Sequence, residues 1–123
     1  MADLKKVTEG IVNRALKSEK SPEEIIKELQ NYNAGELTGK VFLIDVQGAQ
    51  GRAFGFLFRP DRTTLGAAIS QLDRDPLKAN EILLRNSWVG GDERILEEDE
   101  YFFGAISSLG QLLEFGTSEL KKI

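Results

Sequence analysis

Two residue types are missing altogether from this 123-residue chain, cysteine and histidine. Without cysteine there are no disulfides and no thiol chemistry, which fits a reducing compartment. Without histidine the commonest general base and the commonest transition-metal ligand are lost together. Long apolar runs are missing too: none approaches the roughly 20 residues that cross a bilayer. Met1 to Lys20 is charged throughout, unlike a secretory signal. No Lys/Arg run exceeds two residues and the net charge is −4, so the clustered basic face that a phosphate backbone requires is not expected. These absences predict no cofactor, no bound metal, no nucleic-acid partner and no membrane partner.

What remains is ordinary globular material, 41% hydrophobic and 29% charged, enough for one domain with a core and an appendage. Leu4, Val7, Ile11, Val12, Ala15 and Leu16 recur at helical spacing, with charged and polar residues between them. Ser21-Pro22-Glu23-Glu24 is a helix start: serine at the cap, proline first, glutamate at the third helical position. Ile25, Ile26 and Leu29 give this second helix its stripe, and Asn33-Ala34-Gly35 stops it. We therefore place an N-terminal helical pair at residues 1–35 and an α+β core domain at residues 36–123. The pair's stripe either packs on its own domain, the simpler reading, or docks on a partner helix or a membrane surface.

Lys40 to Val46 reads as a strand and Arg52 to Arg59 as its antiparallel mate, with Gln47 to Gly51 as the turn. Phe42, Ile44 and Val46 alternate on one strand, and Phe54, Phe56 and Phe58 on the other. A five-residue turn aligns all six on one side of the hairpin, to be covered by the helices after residue 63. A lone hairpin is marginal, so the expected fold is α+β: a two-stranded antiparallel hairpin, open to extension, packed against several helices. Gly48 and Gly51 lack the Lys-Ser/Thr of a phosphate loop and read as turn glycines.

Arg59-Pro60-Asp61-Arg62 leads into a small-residue helix through Leu65, Ala67, Ala68, Ile69 and Leu72, with Thr63 or Thr64 as its cap. Arg59 and Arg62 flank a carboxylate and suit a surface ion pair or a partner surface. Asp75-Pro76 starts the next helix, which ends at Asn86-Ser87 before the single tryptophan, Trp88, and Gly90-Gly91. One large ring between a helix end and a Gly-Gly turn is a natural core plug. Six of the nine residues from Asp92 to Glu100 are acidic, and they lack the ligand spacing of a calcium loop. They read as solvated charge at a helix N-terminus, with Ile95-Leu96 as a short strand or an anchoring turn. A long helix then starts at Asp99, with Phe102, Ala105, Ile106, Leu109, Leu112 and Leu113 on one face. Gly104 and Gly110 weaken it by about 1 kcal/mol each, which points to close approach of another element or to flexibility that is used.

Catalysis has little to build on. Serines 70, 87, 107 and 108 have no lysine at diagnostic spacing, and the carboxylates sit in surface-like runs. No catalytic residue is assigned, and the expected class is a binding or assembly protein, not an enzyme.

Taken jointly, Arg59-Pro60-Asp61-Arg62, Asp75-Pro76-Leu77-Lys78-Ala79-Asn80-Glu81, Trp88-Val89-Gly90-Gly91-Asp92-Glu93 and the closing Glu119-Leu120-Lys121-Lys122-Ile123 resemble a group of small phage and prophage proteins. These are encoded among tail genes and described as tail assembly chaperones or tail proteins. The resemblance spans residues 38 to 123, and Ser87 stands where some relatives carry a cysteine. It implies a tail assembly factor of the host cytoplasm that binds a tail protein such as the tape-measure or tube protein. The alternatives it leaves are a structural tail component and a modulator of a host protein; a homo-oligomer stays open. For partner binding the candidates are Leu4, Ile11 and Leu29 on the N-terminal pair, Arg59 and Arg62 beside the hairpin, and Leu109 on the last helix.

Overall fold

The computed structural model describes residues 3–109. Helices α1 (Leu4–Lys17) and α2 (Pro22–Asn31) come first, followed by a 3-10 turn at Tyr32–Ala34. Strands β1 (Val41–Gly48) and β2 (Gly51–Phe58) form the hairpin. Helices α3 (Arg62–Gln71) and α4 (Pro76–Ser87), strand β3 (Trp88–Gly91) and the short helix α5 (Arg94–Glu97) follow. A last helix, α6, occupies residues 99–109. The fold is α+β, and its antiparallel sheet has three strands in the order β1-β2-β3, one more than the pattern of alternation announces.

The helix starts are set by their own caps. Asp3 accepts from the Lys5 and Lys6 amides to open α1. Ser21 and Glu24 make the reciprocal capping box expected for α2, with Pro22 in the first turn. Asp75 accepts from the Lys78 amide to open α4. The cap of α3 is Asp61, which accepts from the Thr64 amide at 2.7 Å, and not a threonine. A carboxylate three residues upstream of the amide reaches it without distorting the first turn.

The largest departure from the sequence reading lies in the hairpin register. Gly48 pairs with Gly51 across a two-residue turn, Ala49-Gln50, and Gly51 takes the left-handed φ of 102°. Each cross-strand pair therefore joins positions of opposite parity: Phe42 faces Leu57, Ile44 faces Gly55, Val46 faces Ala53. A five-residue turn would have paired even with even. This single step moves every β2 side chain to the other face. Phe42, Ile44 and Val46 thus sit on one side of the sheet, and Phe54, Phe56 and Phe58 on the other.

Both faces are consequently covered. On the first, Ile44, Val46, Ala53 and Leu57 pack with Leu84 of α4, Ile95 of α5, and Tyr101, Phe102, Ala105 and Leu109 of α6. On the second, Phe56 and Val89 pack with Ile11, Val12 and Ala15 of α1, Ile25 and Leu29 of α2, and Leu37. The helices after residue 63 cover only the first of these faces; the N-terminal pair lays its stripe on the second. At Gly104 a Cβ would lie 2.6 Å from a methyl group of Val46, so the glycine marks close approach of α6 to β1. Gly110, Leu112, Leu113 and the closing Glu119 to Ile123 lie outside the described residues.

Trp88 opens β3 opposite Leu57 and lays its half-buried ring over Gly55. A Cβ at Gly55 would stand 2.3 Å from the indole Cη2. Gly91, paired with Gly55, comes so near that its own Cβ would lie 2.4 Å from the Gly55 Cα. The missing side chain at Gly55 thus makes the slot that the single tryptophan fills, and the one missing at Gly91 lets β3 lie close against β2.

Candidate protein-binding surfaces

The six residues proposed for partner contact fall into different environments. Ile11 and Leu29 are buried under the sheet, and Leu109 is fully buried on the opposite side. Leu4 is half-buried at the margin of the α1–α2 cluster. Those three buried leucine and isoleucine side chains serve the fold itself, because an apolar helix stripe satisfies its own domain first. Arg59 and Arg62 are exposed at the foot of α3.

That foot carries an arm. Helices α3 and α4 fold back on each other around a small cluster of their own: Ala68, Ala79 and Leu83, with Leu65, Leu72 and Ile82 at its edge. Helix α4 also reaches the main core through Leu84, whereas α3 packs principally on α4. On the outside of the arm stand Ile69, 57% exposed, and Leu77, 46% exposed, with exposed Gly66, Ala67 and Ser70 beside Ile69 on α3. Large apolar side chains this open are few here; Phe103 on α6 is the remaining one among the described residues. The arm therefore offers apolar side chains beside small ones, the combination that lets a second helix approach closely.

A second surface lies along the first half of β1. Two grooves follow it, one on each face of the sheet, the first mainly apolar and the second mixed. The first, about 170 Å³, is lined by Ile26, Leu37, Val41, Leu43 and Phe56. The second, about 290 Å³, is lined by Phe42, Ile44, Leu57 and Leu109. The first falls below the roughly 300–1,000 Å³ of a small-molecule site and suits single side chains; the second lies at its lower edge.

The charged groups are structural in their arrangement. Arg94, the one cation of the acidic run, donates to Asp92 Oδ2 at 2.7 Å and to the carbonyls of Gln50 and Arg52. Its guanidinium also lies 4.7 Å over the Tyr101 ring. Tyr101 in turn donates to the Gly51 carbonyl at 2.8 Å, and Glu100 accepts from the Ala49 amide. Together they tie the tip of the hairpin to α5 and α6. Nothing in the sequence pattern distinguished Arg94 from a surface charge.

Arg94 hydrogen bonds hold the Asp92 carboxyl below the usual carboxylate range. Asp61 is lowered chiefly by the Thr64 amide, and Glu23 chiefly by its own backbone amide. All three shifts favour the charged form, opposite to what a general acid at neutral pH requires. Among the described residues no group of acidic side chains is placed to hold a metal ion, and no helix is long and apolar enough to cross a membrane.

No protein-family model, curated protein or solved structure matches this chain.

Proposed function

We propose that the protein is a non-enzymatic phage tail assembly factor that binds an apolar helical segment of a tail protein, such as the tape-measure protein, in the host cytoplasm. The observation that carries the binding reading is the α3–α4 arm, with Ile69 and Leu77 turned to solvent. The tail assignment rests on the resemblance of residues 38 to 123. A client helix laid along the arm buries these side chains against its own apolar face, in the helix-in-groove manner. Arg59 and Arg62 at the foot of the arm suit acidic residues flanking that face. Burial of apolar surface makes such a contact persist as salt rises, whereas a purely electrostatic one weakens.

Co-expression with a tape-measure fragment tests this. Capture should survive high salt and be lost in Ile69→Asp and Leu77→Asp variants whose circular dichroism and melting match the parent. Mass spectrometry of purified particles then separates a chaperone, which leaves, from a built-in tail component, which stays at fixed copy number. Capture that ignores both arm substitutions would overturn the assignment of the surface.

A further inference from the structure

We infer that two copies of this chain pair through β1, antiparallel, to make one continuous six-stranded sheet. The inference concerns a different surface from the client-binding arm and stands or falls separately from the tail reading.

The two edges of the sheet are built differently. β3 is four residues long, is reached through a bulge between Phe56 and Leu57, and lies under α1. A Cβ at Gly90 would sit 2.8 Å from a methyl group of Val12, which shows how closely that edge is covered. β1 is eight residues long, regular, and outermost, with no strand on its outer side among the described residues. Edge strands are normally guarded by lysine, proline or a bulge. Val41–Gly48 itself has none of these, and Lys40 stands just before it, its carbonyl accepting from the Arg59 amide; within the strand the only charge is Asp45, which Arg52 of the neighbouring strand holds with contacts of 2.7 to 3.0 Å. Val41, Phe42 and Leu43, in the first half, are all half-buried, and the two grooves run beside them.

An extended segment with apolar side chains on both faces suits this edge. β1 itself meets that description, with Phe42 and Ile44 on one face and Val41 and Leu43 on the other. Antiparallel pairing about a twofold axis normal to the sheet keeps each face continuous, and it joins residues whose numbers sum to an even value. Charge then selects among the allowed registers. Centring the pair on Asp45 would set two carboxylates face to face, and centring it on Ile44 would leave them diagonal neighbours. With Leu43 opposite Leu43 of the second copy, Phe42 meets Ile44. The two Asp45 carboxylates are then four residues apart, about 13 Å at strand spacing. That exceeds the Debye length of about 8 Å at physiological salt, and each carboxylate already has its arginine. A single short strand pair buries less than the roughly 800 Å² per partner of a standard interface, so the dimer belongs to the weak, transient class.

The absence of cysteine makes the test direct. Sedimentation from about 1 µM to about 1 mM should show a monomer–dimer equilibrium in the parent chain. A Val41→Lys/Leu43→Lys double variant should be monomeric, with folding checked by Trp88 fluorescence. Among single-cysteine variants, Leu43→Cys should oxidise to a disulfide dimer, because the expected Cα separation matches disulfide geometry. Ile69→Cys, on the arm, should not. A parent that stays monomeric throughout the range overturns the inference. A dimer that survives the charged β1 variant, or that crosslinks only outside β1, overturns it as well.

Discussion

The contact between Trp88 and Gly55 makes the sharpest energetic test of this fold. In Gly55→Ala the new methyl group would stand 2.3, 2.5 and 3.2 Å from three ring carbons, so the indole must move by about an ångström or the strands must part. Overpacking of this kind costs about 1–3 kcal/mol. Against it, alanine at a compatible backbone position gains about 0.4–1 kcal/mol by restricting the unfolded chain. The net expectation is a loss of up to about 2.5 kcal/mol. Trp88→Ala should cost about 3 kcal/mol, the lower end of the large-to-small range, because the ring is half-buried. The informative variant is the double one. Once the ring is gone, Gly55→Ala should become neutral or stabilising, so the two substitutions couple with the opposite sign to a lost attraction. Urea unfolding followed by circular dichroism reads all four proteins, and fluorescence of the single tryptophan reads the slot in the two that keep it. An equal cost for Gly55→Ala in both backgrounds, or a gain in the parent, would refute the slot.

Three further expectations come from other parts of the molecule. Ser87 is buried, and its hydroxyl has no hydrogen-bond partner among the described residues, so Ser87→Ala should raise stability by up to about 1 kcal/mol. A drop in melting temperature would show that the hydroxyl is satisfied. Since the Asp92 carboxyl is lowered in the folded state, chiefly by Arg94, its contribution is present above the ordinary carboxylate range near 4. It is lost as pH falls through the lowered value, and Asp92→Asn should flatten that acid limb in pH-dependent melting. Asp75→Ala and Ser21→Ala should each cost about 1 kcal/mol through loss of a cap, measurable as a midpoint shift at unchanged denaturant slope.

What the sequence determined by itself is what depends on neighbours along the chain. The starts of α2 and α4 are written in Ser21-Pro22 and Asp75-Pro76, because a cap bonds amides only two or three residues away. The two long strands follow from alternation over several residues. β3 escaped that logic: four residues ending in Gly90-Gly91 carry too little side chain to alternate, and it is their pairing with β2 that makes them a strand. The tertiary structure alone decided which apolar residues are covered. Ile11, Leu29 and Ile69 all belong to amphipathic or apolar helix patterns, yet the first two lie under the sheet and the third faces solvent. Helical spacing states that a stripe exists and is silent about what lies opposite. The hairpin shows the same limit at its smallest scale. One residue more or less in the turn decides which side of the sheet Phe54, Phe56 and Phe58 occupy, because side chains on a strand alternate with period two.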